Sequence, residues 1–132
     1  MEVIAKSKYI RISARKMRLV ADLVRGLKVN ETLDILNHLN KKPAHVLLLI
    51  LKQGIGNAVN NFGLQKDNLL IKKLEIGEGS TFKRGRAASR GRWHPILKRT
   101  SHVFMTLEGE EKKTKQKEVE SKKVVKKNGS KS

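Results

Sequence analysis

The sequence predicts an α+β fold: three helices packed on a small three-stranded antiparallel sheet, with a long protruding basic β-hairpin and a disordered C-terminal tail. Three observations carry that reading. Apolar residues repeat with helical spacing through residues 14–62, then with a period of two through 70–76 and 103–107. Between those two strand-like segments, Ile76 and Val103 enclose 26 residues, far more than a hairpin turn needs. Within that gap, residues 82–99 read FKRGRAASRGRWHPILKR, with seven Lys or Arg and no acidic residue.

The elements follow in chain order. Val3 to Lys8 forms a weak strand pattern. Ser13 stands where a helix cap is expected, ahead of ARKMRLVADLVR, and Gly26 supplies the stop. Met17, Val20, Ala21 and Val24 make one apolar stripe at i, i+3, i+4 and i+7. Arg11, Arg15 and Arg18 keep the same spacing elsewhere on the cylinder, with Lys16 beside them. In a weakly charged protein such a row is a solvated face; in a chain this basic it is a candidate anion contact.

Asn30 is the expected cap of a second helix, in which Leu33, Leu36 and Leu39 recur every third residue with Ile35 alongside. Pro43 suits the first turn of a third helix. Ala44, Leu47, Leu48, Leu51, Ile55, Ala58, Val59 and Phe62 then trace one face until Gly63 closes it. Val46, Leu49 and Ile50 make its first half apolar nearly all round, which predicts the central, most buried helix. Gly54 and Gly56 interrupt it, each at a cost of about 1 kcal/mol relative to Ala, so close backbone packing is expected at both. Leu70, Lys72, Leu74 and Ile76 alternate with Ile71, Lys73 and Glu75, and Val103, Met105 and Leu107 with His102, Phe104, Thr106 and Glu108. The expected domain covers 1–109, including an extended hairpin over 77–102. Residues 110–132 are lysine-rich and poor in aliphatics, and predict a disordered tail.

The formal charge is +18. It is focused: residues 1–80 carry 14 basic and 7 acidic groups, whereas 81–99 reach the same net +7 with no acid at all. A polycation of this density is expected beside a polyanion, with nucleic acid ahead of an anionic membrane surface. The absence of Cys excludes disulfides and thiolate metal sites. The longest apolar run, Val46 to Leu51, is too short to cross a bilayer, and MEVIAKSKYI reads as neither signal nor transit peptide. A cytosolic or organelle-matrix protein with no membrane partner is expected.

The small residues Gly85, Ala87, Ala88, Ser89 and Gly91 cluster at the middle of the long gap, as a tight tip requires. Two arms of about a dozen residues, at ~3.3 Å each, would reach roughly 40 Å. A lone two-stranded ribbon is marginal in water, and like charges weaken it further. Its stability must come from a partner, and phosphate fits the bidentate fork of Arg. Trp93 either stacks on a base or packs on Ile96 or the domain edge. An architectural DNA-binding arm is the alternative, with Pro95 as wedge, but Pro95 lies partway down and the tip has nothing to insert. A folded RNA, with deep crevices, fits a narrow arm better.

SARKMRLVADLVRG, the pair Asn57-Ala58, and ILKRTSHV at 96–103 resemble the family of bacterial-type large-subunit ribosomal proteins numbered twenty-two, through residues 1–109. The resemblance implies a structural constituent of the large subunit that binds rRNA and supports assembly. It also implies a hairpin that threads inward from the outer end of the polypeptide exit tunnel and forms part of its wall. The partners it implies are large-subunit rRNA, neighbouring large-subunit proteins and the nascent polypeptide, on a cytoplasmic or organelle ribosome. The rRNA-binding residues expected are Arg11, Arg15, Lys16, Arg18, Lys83, Arg84, Arg86, Arg90, Arg92, Trp93, Lys98, Arg99, Thr100, Ser101 and His102. Ala87, Ala88 and Ser89 are expected to face the tunnel. They replace the family's usual Pro-Arg-Ala run; Trp93-His94-Pro95 is also atypical, and the lysine tail extends past the usual end.

Catalysis would need convergent acid, base or metal-binding groups. His38, His45, His94 and His102 have no ligand spacing, and GIGNAV at 54–59 lacks the Lys of a nucleotide loop. No enzyme activity, cofactor or metal is expected.

Overall fold

The computed structural model describes residues 1–109; the predicted tail lies outside the described residues. In chain order the elements are β1 (Glu2–Ile10), α1 (Ala14–Val24), α2 (Val29–His38) and α3 (Lys42–Phe62), followed by a 3-10 turn at Lys66–Asn68. Then come β2 (Leu70–Glu78), β3 (Phe82–Ala87), β4 (Trp93–Lys98) and β5 (Ser101–Glu108). The main sheet has the order β1-β5-β2, both pairings antiparallel. The last strand is thus the central one. Val103, Met105 and Leu107 of β5 are fully buried, flanked by Val3 and Ala5 of β1 and by Ile71 and Leu74 of β2. The helices cover that one face, with α3 against β1 and β5, α1 against β2, and α2 against α3.

The helix signals divide into those that held and those that burial overrode. Pro43 sits in the first turn of α3, and Gly63 ends it in the left-handed region (φ 61°), its N–H donating to the Val59 carbonyl at 3.1 Å. Gly26, at φ +80°, follows α1 in the same way. Ser13 occupies the cap position of α1, but its hydroxyl makes no cap bond. Asn30 is not the cap of α2: the cap is Lys28 and the helix begins two residues earlier than expected, because Val29 is drawn fully into the core and its N–H donates to the Leu69 carbonyl at 3.0 Å. Asn30 instead donates to Asp67 at 3.0 Å and ties α2 to the 3-10 turn.

Gly54 is a contact point, as expected. A Cβ there would stand 2.9 Å from Leu107 Cδ1 and 3.2 Å from Ala5 Cβ, so any side chain would force Leu107 or the helix to shift where α3 settles on β1 and β5. Gly56 is not one; nothing lies within 4 Å of its Cβ position. The core stripe of α3 also ends earlier than its sequence pattern does. Val59 and Phe62 are exposed, and Leu64 and Leu69, fully buried beyond Gly63, close that end of the core.

In β2 the alternation slips. Ile71 and Leu74 are buried while Leu70 is 38% exposed, because the register with β5 jumps between Ile71 and Lys73. Lys72 is the extra residue of a bulge, which switches the face presented to the core. It lands on the outer face, where its ammonium meets Glu2 at 2.6 Å and Glu108 at 3.2 Å. That pairing holds Glu2 below the ordinary carboxylate range and Lys72 above the ordinary lysine range.

The segment 77–102 is not one uninterrupted ladder. The β2/β5 pairing ends at Glu78↔Ser101, Gly79 N–H donates to the Thr100 carbonyl at 3.0 Å, and a separate β3/β4 ladder runs from Phe82↔Lys98 to Ala87↔Trp93. Residues 79–81 face only 99–100 across this break. Three residues opposite two cannot continue an even register, so the chain makes a joint there.

Candidate nucleic-acid interface

Beyond the joint, β3 and β4 pair with each other alone. A turn closes them: Ala88 N–H donates to the Arg92 carbonyl at 2.8 Å, and Arg90 (φ 59°) and Gly91 (φ 66°) are both left-handed. The register centres on residue 90, in the predicted cluster of small residues. Every residue of both strands is exposed.

Pairing fixes which side chains share a face. Phe82, Arg84, Arg86, His94, Ile96 and Lys98 fall on one side, and Lys83, Gly85, Ala87, Trp93, Pro95 and Leu97 on the other. The first side is basic, and the Arg84 guanidinium lies 5.7 Å over the Phe82 ring. The second is mostly apolar and flat. Trp93 lies diagonally across Gly85, where a Cβ would stand 2.7 Å from the indole Cζ3. The register puts the indole on the opposite face from Ile96, and it remains 64% exposed. Gly85 and Trp93 at diagonal positions are the signal that sequence reading missed. Among the described residues, no cation of the ribbon has an acidic partner.

The predicted residues at the ribbon's base divide in two. Arg15 and Lys16 are exposed in the first turn of α1, and the Arg11 guanidinium donates to the Arg99 carbonyl. Arg18 is engaged with the protein itself, donating to the Ile76 carbonyl at 3.3 Å and lying 3.7 Å from Glu78. Thr100 and Ser101 are buried: the Thr100 hydroxyl donates to the Ser80 carbonyl at 2.6 Å, and Ser101 is fully enclosed. His102 accepts the N–H of Tyr9 at 3.0 Å through Nδ1, and its ring meets Tyr9 edge-on at 4.8 Å. Tyr9 sits at φ 57° in the β1 bulge between Ser7 and Ile10. In the free chain Thr100 lies in the joint and Ser101 and His102 open β5 beside it, while Lys98 and Arg99 stay exposed.

Two helix starts face the same region with the wrong charge for an isolated protein. A helix N-terminus carries about half a positive charge and favours acids nearby. Neither α1 nor α3 has an acid in its first turn. Instead Arg15 and Lys16 open α1, and Lys41 and Lys42 open α3. Arg11, Lys16, Lys42, Leu97 and Arg99 line one groove at the root of the ribbon. Repulsion of this kind is relieved by an anion. Lys41 and Lys42 were missed, although two lysines directly ahead of a helix-opening proline were visible in the sequence.

A helix-covered antiparallel sheet thus carries a basic two-stranded ribbon, and two cationic helix starts stand at its root. The chain belongs to the ribosomal protein L22p/L17e family, whose model matches residues 5–108. That family is structural and non-enzymatic, and its members are components of the large ribosomal subunit. No helix among the described residues is long and apolar enough to cross a membrane.

Proposed function

We propose that this chain binds large-subunit rRNA through the ribbon and its root, and that the ribbon protrudes into the subunit as part of the polypeptide exit tunnel. The supporting observation is the two-sided ribbon: a fully exposed β-pair, basic on one side and apolar on the other, with no core of its own. Arg84, Arg86 and Lys98 grip phosphates, and Arg90 and Arg92 do so around the turn. Trp93, packed across Gly85, offers its outer face to a base. Arg11, Arg15, Lys16 and Arg99 anchor the root, while Thr100, Ser101 and His102 set the angle at which the ribbon leaves the domain. Ala87, Ala88 and Ser89 face the nascent chain, their small size keeping the passage open. Residues 1–109 act as the ribosomal unit, on cytoplasmic ribosomes, beside neighbouring large-subunit proteins.

The test is a salt titration of binding to a large-subunit rRNA fragment, with random duplex DNA as control. Each phosphate neutralised adds roughly 0.7–0.9 to the slope of log affinity against log salt. Residues 82–98 hold six cations, so replacing them with a short glycine turn lowers the slope by about 4–5 if all are engaged. Equal affinity for rRNA and duplex DNA, or an unchanged slope, contradicts the proposal.

A further inference from the structure

A second surface adjoins the ribbon root, sharing Lys16, Lys42 and Pro43 with the groove there. Leu19 and Leu23, one turn apart on α1, are 69% and 55% exposed. With Val20, Leu39 and Pro43 they line a groove of about 490 Å³ between α1 and the start of α3. Lys16, Lys41 and Lys42 stand on its rim, and among the described residues none of the three has an ion-pair partner. Two large aliphatic side chains thus stand in water beside each other on one helix face, continuous with the apolar lining of the groove.

The chemistry of the groove selects its occupant. Its floor is aliphatic, so a nucleobase placed there would lose water from its polar edges with nothing to replace it. Its charges are all lysine ammoniums, point charges on flexible stems, where the ribbon relies mainly on arginine forks. Leucines spaced at i and i+4 beside a proline form the kind of trough that accepts the apolar stripe of a second helix. We infer that this groove docks an amphipathic helical segment of a partner protein, with leucine-like side chains against Leu19, Leu23 and Pro43 and carboxylates against the three lysines.

The groove shares Lys16 and Lys42 with the ribbon root, so the inference is tested on the purified full chain in the absence of RNA. The probe is a fluorescent 20-residue helical peptide with leucines at i, i+4 and i+7 and glutamates on either side, read by anisotropy. Leu19→Ala with Leu23→Ala is expected to weaken it at least tenfold; both side chains are exposed, so the fold is retained, which circular dichroism checks. Lys41→Gln with Lys42→Gln is expected to weaken it several-fold and to flatten its salt dependence. A peptide with alanines in place of leucines should bind no better to the parent chain than the parent peptide binds to the leucine-less variant. The inference is overturned if the peptide does not bind, or if binding ignores the leucines on either partner. It is also overturned if the leucine substitutions lower affinity for a 20-nucleotide RNA and not for the peptide.

Discussion

β4 and β5 are successive strands separated by two residues, yet they live under different physics. β5 alternates between buried and half-buried positions and is paired on both sides. β4 is exposed at every position and paired on one side only. The domain is held by its own apolar contacts. The ribbon has turn chemistry, one ladder and a Trp-Gly contact, which together fall short of independent stability in water. What separates them is the joint at 79–81 and 99–100, beyond which the chain pairs only with itself in a two-stranded ladder.

The largest effect that can break this comparison comes from truncating matching leucines. Leu107→Ala in β5 should cost about 2–5 kcal/mol in chemical denaturation, since it opens a cavity beneath α3. Leu97→Ala in β4 should stay within about 0.5 kcal/mol. Equal losses would mean that the ribbon shares the core. Next in size, Gly54→Ala should cost about 1–3 kcal/mol, because its Cβ is forced against Leu107 and Ala5. Gly56→Ala, in open space, should gain up to about 1 kcal/mol.

The smallest effect is at the outer face of the sheet, where Lys72 meets Glu2 and Glu108. Glu2 is lowered chiefly by its hydrogen bond from Lys72, so its contribution is present at neutral pH and lost as pH falls through the lowered value. Lys72 is raised chiefly by its bond to Glu2, so its contribution is lost as pH rises through the raised value. Lys72→Met should therefore lower the melting temperature slightly near neutrality and converge with the parent at both extremes. All three groups are exposed, and screening keeps the change small and salt-sensitive. A constant offset across pH would point to packing instead.

Much of this architecture was legible in the sequence because it rests on periodicity. The helical stripes of α1 and α3, the alternation of β5 and the left-handed stop at Gly63 are each specified locally. The misses were set by distant contacts. Lys72 leaves the ladder because β5 imposes a register on β2, and no alternation within 70–76 records that. Val29 displaced Asn30 as the start of α2 because Leu69, forty residues on, accepts its N–H. For the interface, the charge focus and the tip were readable from composition. The inward turn of Thr100 and Ser101 was not: polar residues beside arginines look like contacts until the Ser80 carbonyl is seen to take the Thr100 hydroxyl. Leu19 and Leu23 went unremarked because the stripe of Met17, Val20, Ala21 and Val24 already accounted for the helix.

The central claim is that the ribbon borrows its order from RNA while the domain owns its order. Backbone 15N relaxation on the free chain and on its complex with an rRNA fragment measures this directly. Order parameters near 0.85 are expected through β5 in both states. For residues 82–98 they should fall below about 0.6 in the free chain and rise to the β5 level on binding. A ribbon as rigid as β5 in the free chain, or one that stays mobile in the complex, would contradict the account.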